Sequence, residues 1–241
     1  SQVWPNSPSL LNFINKNKLT QSHKLKMISK GSSNGIDLKK FSPENVSKSS
    51  LEEIKKNHSL TPGCTYSLFV GRLVKDKGID ILIRAFQSMK IKEHQLVLLG
   101  SFEKDHDLLP ETLEAIQKNN SIIHIEWAKN VKDYMALADL LIHPSFREGF
   151  PNVLLQAGAM RTPIICSAIP GNIDIIKHKH TGLVYESLSE IELVKQLSWA
   201  FLNWDKMTEY ADKLYNIVHE NYGRNKIHST ILQNYNRLIY E

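Results

Sequence analysis

The 241-residue sequence lacks long hydrophobic runs and is poor in cysteine. None of its apolar stretches approaches the ~18 residues that a membrane-spanning helix requires. Its two cysteines, Cys64 and Cys166, lie far apart, and we interpret them as reduced thiols of a cytosolic protein rather than as a disulfide. The chain begins with Ser-Gln-Val-Trp instead of Met and has no charged-then-apolar leader, so we expect a fragment of a longer protein.

Several motifs that would assign a chemistry are also absent. The sequence contains no G-x-x-x-x-G-K-[ST] loop, no G-x-G-x-x-G fingerprint and no G-x-S-x-G elbow. These absences argue against a P-loop enzyme, a standard dinucleotide-binding protein and a serine hydrolase. No group of cysteine, histidine and acidic residues has metal-site spacing, so we predict no metal. His124 and His143 fall within predicted strands, and we interpret both as packed, hydrogen-bonded core residues.

The composition is that of a folded, mildly basic protein. The formal charge is +5, the isoelectric point is about 9.0, and 41% of the residues are hydrophobic. The lysines are spread out, and no basic motif is interleaved with aromatic residues as in RNA-binding modules, so we predict no nucleic-acid partner. Anionic small molecules, or an anionic membrane surface contacted peripherally at its cytoplasmic face, suit this charge equally well.

From about residue 65 onward, short apolar runs alternate with segments of helical period. The runs are almost continuously apolar, which is typical of a parallel sheet covered on both faces. Between them, Ile79, Leu82, Ile83 and Phe86 have helical spacing within 78–90. The pattern predicts an α/β domain with a doubly wound parallel sheet. The predicted strands cover 66–73, 95–100, 122–127, 139–145, 162–168 and 182–186, with shorter helices at 131–138 and 152–160.

Both ends of the chain depart from this alternation. We interpret residues 1–45, which include linker chemistry rich in Gly, Ser and Asn, as the end of a preceding domain followed by a hinge. Residues 46–222 form the predicted α/β domain. The sequence pattern predicts three successive helices in the last part of this domain and in the tail, at 189–204, 206–221 and 224–240. The apolar face of the last helix needs a packing partner.

Two loops at predicted strand ends could bind a ligand, because ligands of doubly wound sheets bind at the carboxyl edge of the strands. The first is "VGRLVKDKG". There Gly71 lets the backbone approach a ligand, and Arg72 and Lys77 can reach anionic oxygens near the next helix N-terminus. Simple solvation of these basic residues is the alternative interpretation.

The second loop, "SFREGFPN", precedes a helix that starts near Asn152, and Pro151 suits its first turn. The free amides of Asn152 and Val153 would face a phosphate. Glu148 beside such an anion site suits the role of an acceptor for hydroxyl groups, for example those of a sugar. The alternative is a glutamate that only helps to cap the helix.

Taken together and in order, several segments resemble the retaining glycosyltransferases of the GT-B fold, the glycosyltransferase group 1 family. The resemblance runs from about residue 65 to 186 and includes two shorter motifs nearer the N-terminus. It implies two Rossmann-like domains facing a cleft. This chain would be the C-terminal, donor-binding domain, with residues 223–241 as a helix that packs back toward the N-terminal domain. The segments are "VGRLVKDKGIDILIRAF", "LVLLGS", "ADLLIHPSFREGFPNVLLQAGAM", "PIICSAIPGNIDII", "TGLVYE", "PNSPSL" and "SSNGID".

The resemblance also implies roles for individual residues. Arg72 and Lys77 would hold the donor diphosphate without a metal or another cofactor, and Glu148 would contact the transferred sugar; these three form the implied catalytic set. Gln156 stands where the family has an acid that binds the ribose hydroxyls, so we expect a weaker ribose contact. The implied donor-binding residues are Gly71, Arg72, Lys77, Gly149, Phe150, Asn152, Val153 and Gln156.

The implied function is that of the donor-binding half of an enzyme. It would move a sugar from a nucleoside diphosphate sugar to a hydroxyl acceptor, on a polysaccharide or a lipid-linked glycan. The acceptor site of the family lies in the N-terminal domain, so we expect this chain alone to bind donor and to transfer little or nothing. Two alternatives stay open: a non-catalytic nucleotide- or glycan-binding module, which Gln156 favours, and a sugar-nucleotide epimerase, which the "EGFP" segment disfavours.

Overall fold

The computed structural model describes residues 2–32 and 34–240. Three residues lie outside the described part of the chain: Ser1 and Ser33, within the N-terminal segment predicted at 1–45, and Glu241, the end of the C-terminal helix predicted at 223–241. The strands are β1 (Thr65–Val70), β2 (His94–Leu99), β3 (Ile122–Ile125), β4 (Leu140–His143), β5 (Ile164–Ser167) and β6 (Leu183–Tyr185). The helices are α1 (Pro8–Lys16), α2 (Lys48–Asn57), α3 (Ile79–Met89), α4 (Pro110–Lys118), α5 (Val131–Leu137), α6 (Asn152–Ala159), α7 (Asn172–Ile175), α8 (Glu190–Leu202), α9 (Trp204–Asn221) and α10 (Arg224–Tyr240).

The six strands form one parallel sheet in the order β3-β2-β1-β4-β5-β6. From β1 the chain winds outward to β2 and β3, then returns to β4 on the other side of β1 and winds outward again. This order is that of a doubly wound sheet, and the prediction of the α/β fold class is confirmed. The order reverses between β1 and β4, so a crevice opens at the carboxyl ends of these two strands.

Helices cover both faces of the sheet over two hydrophobic cores. On one face, α3 and α8 pack together and α4 lies beside them; on the other, α5 and α6 pack with the second half of α9. The stripe predicted within 78–90 is confirmed, since Ile79, Leu82 and Ile83 are fully buried and Phe86 is buried. Strands covered on both faces have little polar surface, which explains their continuous apolar runs.

Several boundaries differ from the prediction in the same direction. The strands predicted at 66–73, 122–127 and 139–145 end two or three residues earlier, at Val70, Ile125 and His143. Apolar residues continue beyond the last ladder pair because Leu73 and Val74 are also buried, in the loop that follows β1. Helices α2 and α4 were not predicted; α2 has no buried residue and therefore little periodic hydrophobic signal.

The N-terminal segment is attached to the α/β domain. Ile36 and Phe41 belong to the second core, and Ile36 forms an isolated parallel bridge with Gly223. At the start of α1, the Ser9 N–H and hydroxyl both donate to the Asp174 carboxylate, at 3.2 and 2.9 Å. The segment therefore packs on α7 and on the junction between α9 and α10, and the domain boundary at residue 45 stays a prediction.

The last helix exposes most of its apolar residues. Among the described residues of α10, only Ile227 and Asn234 are buried. Leu232, Tyr235 and Ile239 are more than half exposed. The apolar face predicted for this helix thus has little cover. None of the helices within the described residues is both long enough and apolar enough to cross a membrane.

Candidate functional site

The loops that follow β1 and β4 meet at the switch point of the sheet. The Asp76 carbonyl accepts a hydrogen bond from the Phe146 N–H at 2.8 Å, and the Asp76 carboxylate accepts one from Arg147 at 2.6 Å. Gly78 has φ +72°, and a Cβ there would lie 2.2 Å from the Pro144 carbonyl oxygen. Only glycine allows this approach, which brings both predicted ligand loops to one cleft. The cleft has a volume of about 460 Å³ and is lined by Arg72, Asp76, Lys77, Arg147, Glu148 and Gly149.

Glu148 lies at the centre of this cleft with two cationic or polar neighbours. Lys77 Nζ donates to Glu148 Oε1 at 2.5 Å, and His143 Nε2 lies 3.2 Å from the same oxygen. The His143 ring is not aligned for a full hydrogen bond, so this second contact is electrostatic. The Lys77 and Glu148 side chains are only 18% and 15% exposed, so solvent and salt screen their attraction less than that of a surface pair.

These contacts determine the charge state of Glu148. Burial raises the pKa of its carboxyl group, but His143 and Lys77 together outweigh burial and lower the pKa from 4.5 to about 2. Glu148 is therefore a carboxylate at neutral pH and accepts hydrogen bonds without donating one. A group with this charge cannot act as a general acid, but it can bind hydroxyl groups or stabilise developing positive charge.

Arg72 lies at the rim of the cleft and is paired with Glu103 in this structure. Its guanidinium donates to both carboxylate oxygens of Glu103, at 2.7 and 2.9 Å, and both side chains are largely exposed. Glu103 lies in the loop that follows β2, the strand next to β1. Because exposed ion pairs are weak, Arg72 is free to leave Glu103 for a stronger anionic partner.

Helix α6 presents its N-terminus to the same edge of the sheet. Pro151 is the residue just before the helix, one position earlier than predicted, and its carbonyl accepts from the Leu154 N–H. Among the described residues, the N–H groups of Asn152 and Val153 have no acceptor. Gln156, one helical turn after Asn152, is half-buried.

A third loop, after β5, supports the loop that carries Glu148. Gly171 has φ +86°, and a Cβ there would lie 2.6 Å from the Gly149 carbonyl oxygen. The Phe150 ring packs against Tyr222, with 5.8 Å between the ring centroids, and lies next to Gly31. The Val153 side chain packs on the second core. These two residues therefore support the site with their side chains and leave the backbone to face it.

The structure brings most of the predicted site residues together. Lys77, Glu148 and Gly149 line one cleft with Arg72 at its rim, and Gly71 lies at the end of β1 directly beneath the first loop. The roles predicted for these residues stay predictions. Among residues 2–32 and 34–240, no three His, Cys, Asp or Glu side chains come together as metal ligands. That the reaction needs no metal or cofactor also stays a prediction.

The interpretation of His143 as a hydrogen-bonded core residue is wrong. Its side chain is buried, but it lies against Glu148 and makes no hydrogen bond in the described structure. The signal for this role was its place as the last residue of β4, because side chains at that end of a central strand reach the ligand edge. His124 is the contrasting case: its Nε2 is bonded to the Gly100 carbonyl at 2.8 Å.

The chain is similar to known glycosyltransferases in sequence. The profile of the family described as "Glycosyl transferases group 1" matches residues 50–216. The chain is 31% identical over 182 residues to the capsular polysaccharide biosynthesis glycosyltransferase CapM of Staphylococcus aureus, which covers 75% of this chain and 47% of CapM. It is 28% identical over 199 residues to the UDP-Gal:alpha-D-GlcNAc-diphosphoundecaprenol alpha-1,3-galactosyltransferase of Escherichia coli, covering 80% of this chain and 48% of that enzyme.

The similarity extends to the three-dimensional fold. The crystal structure of Anabaena HepE in complex with UDP matches with a TM-score of 0.87 at 18% identity, over 98% of this chain and 64% of that protein. The predicted fold, the Rossmann-like half of a GT-B glycosyltransferase, is thereby confirmed. The chain spans about half the length of the curated relatives it matches. With a family match over most of its length, the chain belongs to the glycosyl transferases group 1 family.

Proposed function

We propose that this chain binds the nucleoside diphosphate sugar donor of a retaining glycosyltransferase in the cleft between the loops that follow β1 and β4. The observation that carries the proposal is the pairing of Lys77 with an ionised, mostly buried Glu148 beside two unused helix amides. A diphosphate needs cationic and N–H donors, and a sugar needs a hydroxyl acceptor. The cleft offers the cations and the hydroxyl acceptor, and the N–H groups lie at the start of α6, at the same edge of the sheet.

Each part of the donor has a matching group. Lys77, Arg72 released from Glu103, and the Asn152 and Val153 amides suit the diphosphate. The sugar lies at Glu148, and the ribose hydroxyls at Gln156. In the transfer step the bond from the sugar carbon to the diphosphate oxygen breaks and a bond from that carbon to the acceptor hydroxyl oxygen forms. The hydroxyl proton passes to the leaving diphosphate, on which negative charge grows. Lys77 and Arg72 stabilise that charge by electrostatics.

We propose that the acceptor is a hydroxyl group on a polysaccharide or a lipid-linked glycan. One relative is named for capsular polysaccharide biosynthesis and another for transfer to a diphosphoundecaprenol-linked sugar, and HepE was crystallised with UDP. Transfer then requires the part of the relatives that this chain does not span, and the exposed apolar face of α10 packs toward it. Cytoplasmic location and peripheral contact with an anionic membrane stay predictions.

A thermal-shift screen with UDP, GDP, ADP and their sugars tests donor binding by this chain. A ligand that binds only the folded state at 100 times its Kd raises the melting temperature by roughly 5–10 °C. Lys77→Ala and Arg72→Ala should reduce this rise, whereas Lys75→Ala, an exposed lysine two positions before Lys77, should leave it unchanged. If no nucleotide raises the melting temperature, the proposal is wrong for this chain.

A non-catalytic module of the same fold is the second candidate, because Gln156 removes a charge from the ribose site. The two candidates differ in the step after binding. In the whole natural protein that contains this chain, a transferase should release nucleoside diphosphate from the bound donor when an acceptor glycan is added. Arg72→Ala and Lys77→Ala should lower that release sharply. A module would bind donor and release nothing, and near-normal release by both variants would contradict the roles of Arg72 and Lys77.

A further inference from the structure

We infer that His143 is the residue that positions Glu148 for the sugar: it holds one carboxylate oxygen from beneath so that the other faces the cleft. The inference rests on the proposed function for the identity of the ligand. The contacts between His143, Lys77 and Glu148 do not depend on that ligand. His143 is not expected to touch the sugar, so it is a positioning residue and not a catalytic one.

The neighbours of the Glu148 carboxylate are arranged around one of its two oxygens. Both neighbours of Glu148, Lys77 and His143, contact the same oxygen, Oε1. No hydrogen bond among the described residues involves Oε2, since the hydrogen bond of this carboxylate goes to Oε1. A carboxylate has about four lone-pair sites on two oxygens, so anchoring one oxygen leaves the second one free to accept from a sugar hydroxyl. The direction of Oε2 is then set by whatever holds Oε1.

Lys77 cannot hold Glu148 alone when the donor is bound. A lysine ammonium is a flexible point charge with three donors, and the diphosphate would draw part of its hydrogen bonding away. His143 is different because it is buried at the end of β4, where its backbone is paired with β5 at Cys166. A rigid strand residue keeps its place when the ligand arrives, as positioning residues must.

His143 has a ring nitrogen that is still able to form a hydrogen bond. Its Nε2 is buried and has no full hydrogen bond, although Glu148 Oε1 is only 3.2 Å away. Leaving a buried polar atom unpaired costs free energy, so such an atom in a site requires a reason. In sites without ligand, functional hydrogen bonds are often poorly aligned and tighten in the complex. Small rotation of the ring or of Glu148 would complete this bond.

A titration of Glu148 by carbon-13 carboxyl NMR tests the contact without any ligand. In His143→Phe the pKa of Glu148 should rise by about one unit, because one favourable neighbour of the carboxylate is lost. If His143→Phe does not fold, His143→Leu replaces it. His143→Gln retains an N–H donor and should restore part of the difference. If the non-donor variants titrate as the wild type does, His143 does not hold Glu148 and the inference is wrong.

A binding experiment tests the consequence for the sugar. The wild type and the same variants are titrated with UDP and with UDP-glucose, together with the sugar nucleotide that gave the largest thermal shift. The variants should bind the nucleotide alone within about twofold of the wild type, while the extra affinity contributed by the sugar should fall about tenfold and recover partly in His143→Gln. A purely structural role would weaken both ligands equally and would overturn the inference.

The two experiments separate this inference from the proposed function. If the wild type binds no nucleotide, the proposed donor site is wrong, and the titration of Glu148 still decides whether His143 holds it. If the wild type binds nucleotide and sugar nucleotide but the non-donor variants keep the full sugar increment, donor binding stands and the role of His143 is wrong. Glu148→Gln is the reference for complete loss of the carboxylate.

Discussion

Gly78 lies against Pro144 so closely that a Cβ on the glycine would be 2.2 Å from the proline carbonyl oxygen. This contact joins the loop that follows β1 to the loop that follows β4, and Lys77 and Glu148 are on the two sides of it. The ion pair at the centre of the cleft therefore depends on a backbone approach that no other residue permits.

Gly78→Ala should destabilise the protein and disrupt the cleft. The left-handed backbone conformation alone costs an alanine roughly 1–2 kcal/mol, and the clash with Pro144 adds to this. The matched control is Gly63→Ala, since Gly63 also has a positive φ but a Cβ there would meet nothing within 4 Å. Urea denaturation of both variants measures the difference. Equal losses of unfolding free energy would show that the contact with Pro144 has no energetic consequence.

Glu103→Gln should strengthen nucleotide binding slightly. It releases Arg72 from an exposed ion pair worth at most about 1 kcal/mol, so the Kd for UDP should fall by no more than about fivefold. Glu114→Gln removes another exposed pair, with Lys118, on a helix away from the cleft, and should change nothing. Isothermal titration measures both variants. Weaker binding by Glu103→Gln would mean that Glu103 itself takes part in the site.

The ionisation of Glu148 should make the free energy of unfolding depend on pH in the acid range. Burial raises the pKa of its carboxyl group, but the contacts with His143 and Lys77 lower it to about 2, below the value of 4.5 for a free glutamate. A lowered pKa in the folded state contributes stability that is complete above pH 4.5 and is lost as the pH falls toward 2. The contribution is up to roughly 3 kcal/mol, at about 1.4 kcal/mol per pKa unit.

The measurement is the unfolding free energy of the wild type and of Glu148→Gln between pH 6 and pH 2. The difference between the two should shrink as the pH falls. Glu209→Gln is the control, because hydrogen bonds from Lys206 and Lys213 also lower the pKa of Glu209 to about 2, but its side chain is 42% exposed, against 15% for Glu148. Added salt should suppress the effect at Glu209 and leave most of that at Glu148. A difference that stays constant with pH would contradict the prediction for Glu148.

Gln156→Glu should strengthen the binding of a nucleoside diphosphate. A carboxylate accepts the two ribose hydroxyls through charge-assisted hydrogen bonds, which are about twice as strong as neutral ones. A gain of about 1 kcal/mol corresponds to a Kd roughly fivefold lower. Gln156→Leu, of similar size but without an acceptor, should raise the Kd. The two substitutions should change the Kd in opposite directions. If neither changes the Kd, the ribose binds elsewhere.

How far the sequence predicted the site depends on the kind of signal. Glu148, Lys77 and the start of α6 could be located because a loop after a buried strand and before a helix has a recognisable composition. The role of His143 was missed because apolar neighbours on both sides made it look like a core residue. The pairing of Arg72 with Glu103 was also invisible, because the two are joined across neighbouring strands and their sequence separation carries no information about it.

Hydrophobic period and turn chemistry are local properties, and they were enough to predict the α/β class, the apolar strands and stripe of α3, and the loops that carry charge. The strand order depends on contacts between distant segments and is seen only in the folded molecule, where it brings the end of β1 beside the end of β4. That contact places Lys77 and His143 on one oxygen of Glu148 and gives its carboxyl group an unusually low pKa. Electrostatic interactions act over distance in space, and residues 71 positions apart in sequence meet only in the folded chain.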